Sequence, residues 1–160
     1  MATFNGYQVV EELGTGGFAT VHLATQDATG EAFAVKQFTS ENGREVDEEK
    51  SKNERAVLEK VGEHKNIVRL CDIVDDAAGV QALVLEYMGG GDLINGFIKT
   101  RPPEAVDGPP QERRVFGVWK DIVIGVAHMH QCGVAHLDLK PQNILLPEGY
   151  LDGEEGAQHA

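Results

Sequence analysis

Between Leu13 and Val21 the chain reads Leu13-Gly14-Thr15-Gly16-Gly17-Phe18-Ala19-Thr20-Val21. Glycines at such a turn let backbone N–H groups approach phosphate oxygens without a Cβ in the way, and Val21 offers an apolar surface to a planar base. A flexible hairpin turn would carry the same letters. The segment is no dinucleotide-binding fingerprint, because a strand rather than a helix follows it, and it lacks the Gly-Lys-Ser/Thr of a P-loop. Ala34-Val35-Lys36 stands one hairpin further on. On a strand Ala34 and Lys36 share a face, so the small residue leaves room for a ligand beside the charged one. A lysine in this apolar strand needs an anionic partner or a route to solvent, since burying its ammonium unpaired is costly. A lysine snorkelling from an edge strand is the other reading. Glu54 precedes Val57 and Leu58 by three and four residues, which puts it on the core-facing stripe of a helix and within reach as that partner. Glu45, Glu48 and Glu49 read as solvated charges.

These residues need elements to hold them. Tyr7 to Leu13, Ala19 to Gln26 and Glu31 to Phe38 are short, partly alternating and rich in β-branched or aromatic residues. Asp27-Ala28-Thr29-Gly30 is a turn between the last two. Three strands are expected. From Glu41 to Lys65 the chain is strongly charged, with Val57, Leu58 and Val61 at helical spacing, which predicts one amphipathic helix. Ile67 to Val74 and Val80 to Tyr87 read as two more strands around a turn at Asp75-Asp76-Ala77-Ala78-Gly79. Gly89-Gly90-Gly91 marks a hinge between two lobes. Beyond it Leu93, Ile94, Phe97 and Ile98 suggest a short helix, and Arg101 to Pro110 a loop. Val115, Val118, Trp119, Ile122, Val126 and Met129 then share one face of a long helix. From Pro147 to Ala160 glycines and acidic residues dominate with almost nothing to bury, so a disordered tail or a loop cut short is expected.

Composition bounds the function. The 160 residues hold 14 Lys+Arg against 26 Asp+Glu, a formal net charge of -12. A domain near that length buries roughly 70% of its unfolded surface, enough for a core. The acidic excess argues against nucleic acid as the partner. Cys71 and Cys132 lie far apart with no Cys-x-x-Cys pair, which favours two reduced thiols over a disulfide framework or a zinc site. No stretch approaches the ~18 apolar residues of a membrane helix, and the start MATFNGYQVV lacks the pattern of a signal peptide. A soluble, cytoplasmic protein is the expectation.

One more polar group, His136-Leu137-Asp138-Leu139-Lys140-Pro141-Gln142-Asn143, separates the long helix from Ile144-Leu145-Leu146. With it the sequence resembles the eukaryotic protein kinases from Tyr7 to Leu146. The motifs come in family order: Gly14-x-Gly16-x-x-Ala19-x-Val21, Ala34-Val35-Lys36, Glu54, Leu83-Val84-Leu85-Glu86-Tyr87-Met88, and His136-x-Asp138-x-Lys140-x-x-Asn143. The resemblance implies an α+β, protein-kinase-like fold: a five-stranded antiparallel N-lobe sheet with one helix, then the first helices and catalytic loop of an incomplete α-helical C-lobe. It places the N-lobe at residues 1–87, the hinge at 88–92, the partial C-lobe at 93–146 and the tail at 147–160.

The resemblance also implies roles. The turn from Gly14 through Thr15, Gly16, Gly17, Phe18 and Ala19 would cover the phosphates of ATP, Lys36 would hold the α- and β-phosphates, and Glu54 would pair with Lys36. Backbone groups of Glu86 and Met88 would bind adenine, Leu85 would guard the pocket, and Leu13, Val21, Ala34 and Leu145 would sandwich the ring. Asp92 would reach the ribose. Asp138 would orient the substrate hydroxyl and accept its proton, Lys140 would neutralise charge on the transferring phosphoryl group, and Asn143 would hold Mg2+. Lys140 resembles the serine/threonine pattern, so a protein Ser/Thr hydroxyl is the implied acceptor. The segment Leu85 to Leu93, with the His136 loop, is similar to the autophagy-initiating kinases, and the calcium/calmodulin-dependent group shares most of these letters.

Three departures stand out. Ala19 replaces a third glycine. Leu137 replaces an arginine that in the family pairs with a phosphorylated activation loop, which predicts independence from that switch. No Asp-Phe-Gly follows Leu146, where Asp152 is followed by Gly153-Glu154. The expectation is a kinase fragment inactive by itself, or alternatively a non-catalytic module that binds nucleotide or a partner.

Overall fold

A computed structural model describes residues 4–38, 48–75, 81–99 and 111–152. The chain divides into two compact units, Met1–Tyr87 and Met88–Ala160. The first is a five-stranded antiparallel sheet with one helix. Strands β1 (Tyr7–Thr15), β2 (Ala19–Gln26), β3 (Ala32–Phe38), β4 (Leu70–Asp75) and β5 (Gln81–Glu86) run in the order β1-β2-β3-β5-β4. Helix α1 (Glu48–Val61) packs on β3, β4 and β5. This is the α+β architecture expected from the sequence.

The period of two in the strands sorts side chains to two faces. Val35 opposes Val84 across β3 and β5, and both are fully buried. They join Phe4, Tyr7, Ala24, Val74 and Ala82 in one apolar cluster, each large side chain worth roughly 1.5–3 kcal/mol on burial. The Tyr7 ring meets Phe33 edge-on, and its hydroxyl donates to Asp72 Oδ2 at 3.2 Å and accepts from Gln26 Nε2 at 3.2 Å. Burial above all pushes the Tyr7 phenol above its usual range. The alternate residues Lys36 and Leu83 oppose one another on the other face.

Element ends differ from the sequence pattern for local reasons. β1 continues past Leu13 through Gly14 and Thr15, which pair with Val21 and Thr20. β4 starts at Leu70 because Ile67 is spent in a turn, its N–H bonded to the His64 carbonyl at 2.9 Å. α1 stops at Val61 because Gly62 takes φ +69° and donates its N–H to the Leu58 carbonyl at 3.0 Å, a left-handed cap that suits glycine. The part of the expected helix at residues 41–47, the turn at 76–79 and the loop at 101–110 lie outside the described residues.

The second unit holds a two-residue strand β6 (Gly91–Asp92), helices α2 (Leu93–Lys99) and α3 (Gln111–Gln131), and strand β7 (Leu145–Leu146), which pairs antiparallel with β6. Its core is Val118, Leu146 and Leu151, with Leu93, Phe97, Ile122 and Tyr150 packed around them. Leu151 is 3% exposed, and Tyr150 donates to Asp121 Oδ2 on α3. Burial, reinforced by that carboxylate, pushes the Tyr150 phenol far above its ordinary value. Within the segment expected to be disordered or a loop cut short, Tyr150 and Leu151 therefore pack on this core. Residues 153–160 lie outside the described residues.

On α3 the expected apolar stripe splits. Val118 is buried and Ile122 half-buried, whereas Val115, Phe116, Trp119 and Val123 are exposed. The glycines also do more than hinge. A Cβ at Gly90 would stand 2.6 Å from the Leu146 carbonyl oxygen and 2.5 Å from that of Pro147, and Gly91 takes φ +73°. Gly90→Ala is expected to destabilise this unit by about 1–3 kcal/mol, since backbone atoms must yield. Gly117→Ala on α3, whose new methyl would meet nothing closer than 3.9 Å, should instead stabilise by about 0.5–1 kcal/mol. Urea midpoints of the two variants, compared with the unsubstituted chain, check this opposition of sign.

Candidate active site

The glycine-rich turn joins β1 to β2, closed by the Gly16 N–H on the Ala19 carbonyl at 2.8 Å. Gly14 and Gly17 take no left-handed φ, and a Cβ at either would meet nothing within 4 Å. The protein's own packing thus gives no reason for glycine there. Close approach by something outside the chain does, as a phosphate cradle requires. Register then gathers one side of the sheet. Gly14 opposes Val21, Val21 opposes Lys36, and Ala34 opposes both Leu23 and Leu85. Directly opposed residues share a face, so Gly14, Val21, Ala34, Lys36 and Leu85 line the same surface. Leu13 and Phe18, at the turn, are exposed.

Lys36 and Glu54 meet on that surface. The Lys36 ammonium donates to both Glu54 carboxylate oxygens at 2.7 Å, with side chains 25% and 33% exposed. Lys36 therefore satisfies its charge through a partner from α1, and a share of its surface stays open to a second anion. The Lys36 Nζ also lies 5.0 Å from the Phe38 ring centroid. At the end of β5 the Glu86 side chain accepts from the Arg69 N–H at 2.7 Å, while its own N–H donates to the Arg69 carbonyl at 3.1 Å.

In the second unit Met88 accepts from the Gly91 N–H through its carbonyl at 3.1 Å. Asp92 caps α2: its Oδ1 accepts from the N–H groups of Ile94 at 2.9 Å and Asn95 at 3.0 Å. Asp92 immediately before Leu93 is a recognisable helix start, so the residue expected at a ribose is also a cap. Leu145, on β7 opposite Asp92, is 43% exposed.

The polar loop after α3 folds around Asp138. The Asp138 N–H donates to the His136 carbonyl at 2.8 Å and meets the His136 ring Nδ1 at 3.3 Å. Asn143 Nδ2 donates to the Asp138 carbonyl at 2.8 Å and to its Oδ2 at 2.9 Å. The Lys140 ammonium sits 2.8 Å from the same Oδ2. Pro141 opens the 3-10 turn Pro141–Asn143, whose fixed φ starts the turn without wasting an N–H. The hydrogen bond from Lys140, and after it that from Asn143, holds the Asp138 carboxyl below the usual carboxylate range. Because the Asn143 amide nitrogen is committed to Asp138, its carbonyl oxygen is the atom left for a hard cation. Mg2+ is usually bound through one or two carboxylates beside phosphate oxygens and water, so the neutral Asn143 oxygen suits an accessory ligand beside them. Among the described residues no group of three or more His, Cys, Asp or Glu could hold a metal ion by itself. Leu137 is 94% exposed and takes φ +59°, a conformation that is strained in a leucine and is a known mark of functional loops.

The structure thus brings Gly14, Val21, Ala34, Leu85, Lys36 and Glu54 together in the first unit, and Asp138, Lys140 and Asn143 in the second. Comparison with known proteins gives the family of the chain. The family model described as the protein kinase domain matches residues 7–151. A Dictyostelium discoideum protein named as a probable myosin light chain kinase is 35% identical over 150 residues, covering 94% of this chain and 43% of that protein. Maternal embryonic leucine zipper kinase of Xenopus laevis is 37% identical over 143 residues, 89% of this chain and 20% of that protein. Serine/threonine-protein kinase ssp1 of Schizosaccharomyces pombe is 33% identical over 155 residues, 89% of this chain and 22% of that protein. The chain spans less than half the length of each.

Proposed function

This chain belongs to the protein kinase domain family, and from that premise we propose that it binds ATP with Mg2+ and carries the phosphotransfer residues of a protein serine/threonine kinase. The observation that carries the reading is the paired Lys36 and Glu54, both carboxylate oxygens 2.7 Å from one ammonium on the face shared with Val21 and Ala34. A lysine so held is a fixed cation beside an apolar surface, which suits a ligand with a flat apolar end and an anionic end. Val21, Ala34 and Leu85 receive the base, with Leu13 and Leu145 as further apolar contacts. Backbone groups of Glu86 and Met88 fix its edge. The turn from Gly14 to Ala19 offers N–H groups to the phosphates, and Lys36 neutralises two of them. Asp92 reaches the ribose while capping α2.

Asp138, Lys140 and Asn143 carry the transfer. When bound, Mg2+ offsets the charge of the phosphate oxygens, and Asn143 would supply an accessory oxygen. Asp138 accepts a hydrogen bond from the acceptor hydroxyl and orients its oxygen toward the phosphorus. Held below its ordinary pKa, this carboxylate is a weak base at rest, so it takes the proton late, once bond formation has made the hydroxyl acidic. Lys140 lies on Asp138 and can lend its ammonium to the phosphoryl oxygens as negative charge shifts toward them. We assign residues 1–87 to an N-lobe, 88–92 to a hinge and 93–146 to the start of a C-lobe, with a cytoplasmic setting. No helix among the described residues is long and apolar enough to cross a membrane.

The test is a thermal melt of the 160-residue chain with and without Mg2+ and ATP. Saturating ligand at about a hundred times Kd should stabilise by about 2.7 kcal/mol. No shift of the melting temperature at millimolar Mg2+ and ATP would refute nucleotide binding and leave a partner-binding module.

A further inference from the structure

The tip of the glycine-rich turn touches α1. The Lys50 ammonium lies 3.6 Å from the centroid of the Phe18 ring, inside the range where a cation is attracted to an aromatic face. Lys50 and Glu54 are four residues apart, so they share one side of α1. The helix therefore meets the ligand-facing side of the sheet at two points one turn apart: Glu54 on Lys36 of β3, and Lys50 on Phe18 of the β1–β2 turn. Around the same turn, added Cβ atoms at Gly14 and Gly17 would find nothing within 4 Å, so little packing there resists movement. A loosely packed turn gains most from a tether at its tip.

Resting on the nucleotide-binding reading above, we propose that Lys50 is a positioning residue for the phosphate end of the ligand. Through Phe18 it fixes the glycine-rich turn to the helix that also fixes Lys36. One rigid element then orders both the backbone N–H groups and the ammonium that face the phosphates. A ligand with phosphates meets a turn already ordered, and less conformational freedom is lost when it binds. A ligand without phosphates makes no demand on the turn and gains nothing from the tether.

Calorimetric titration of the 160-residue chain with Mg·ATP and, separately, with adenosine tests this. Lys50→Met keeps the aliphatic stem and is expected to weaken Mg·ATP binding by about two- to fivefold, leaving adenosine affinity unchanged. Lys50→Arg should restore it. Phe18→Leu should cost a similar factor, and the double variant no more than either single one, since both remove the same contact. A parallel loss for Mg·ATP and adenosine, additive losses in the double variant, or no loss would each overturn the role. Lys36→Met separates the two readings. If Lys36→Met weakens Mg·ATP binding and Lys50→Met does not, only the role of Lys50 falls. If the unsubstituted chain binds no Mg·ATP, both readings fall together. In the proton spectrum the ε-methylene of Lys50 should be shifted upfield by the Phe18 ring, and that shift should vanish in Phe18→Leu. Its absence from the unsubstituted chain would also overturn the proposal.

Discussion

Lys36→Met is expected to weaken Mg·ATP binding by about ten- to one-hundred-fold, because hydrogen bonds to charged groups contribute about 1.5–3 kcal/mol each. The ammonium already meets Glu54 at 2.7 Å, so it is presented to phosphate oxygens in a fixed place rather than searching for them. Methionine keeps the stem and its apolar contact with the strand. Its effect on folding should be small. The pair is a quarter to a third exposed, and Glu54 left alone can still be hydrated, so the loss of stability should resemble that of a partly solvated ion pair, about 0–1 kcal/mol. Calorimetric titration beside a thermal melt separates the two effects. Unchanged affinity would refute Lys36 as a phosphate ligand, and a collapse of the melt would show its role to be structural. Glu54→Gln should give a smaller loss, because the ammonium keeps its charge and loses only its ionic anchor.

Asp138→Asn carries the second large effect: a loss of about 10²–10⁴ in phosphoryl transfer, the usual contribution of a positioned general base. It is measured as phosphate transferred from ATP to a protein acceptor. Nucleotide affinity should be spared, since Asp138 itself is assigned to the acceptor hydroxyl and to no contact with base, ribose or phosphates. The pH dependence has a definite sign. The Asp138 carboxyl is held below its usual range, first by the hydrogen bond from Lys140 and then by that from Asn143. It therefore stays ionised across about pH 5 to 8 and puts no inflection into the rate there. The stability linked to it is present above the unfolded-state pKa and is lost as pH falls through the lower folded-state value. Lys140→Met should move the carboxyl back toward its ordinary range, as an NMR titration of Asp138 would record. Full transfer activity in Asp138→Asn would overturn the assignment.

What the sequence made legible follows from range. β2 and β3 alternate over seven or eight residues, and Glu54 precedes Val57 and Leu58 by a helical turn, so local periods sufficed to pair Lys36 with Glu54. The strand pair of Gly91–Asp92 with Leu145–Leu146 was not legible: two residues cannot display a period, and their partners lie more than fifty positions away. Gly90 looked like a source of freedom, yet it is demanded by close approach of the Leu146 and Pro147 carbonyls, and only a fold can reveal that. Leu151 escaped notice because glycines and acids dominate its neighbourhood, although one buried leucine is enough to fix a short turn. The Phe18 contact with Lys50 was hidden for the same reason as β6 with β7, since it joins a turn to a helix thirty-two positions on.

Trp119 is the sole tryptophan in the chain, and it stands 61% exposed on α3. Indole light emission therefore belongs entirely to the second unit and starts out in a watery environment. Anything that settles on the outer side of α3 will shift that emission to the blue. A single native chromophore thus reports on this face of the second unit without any label.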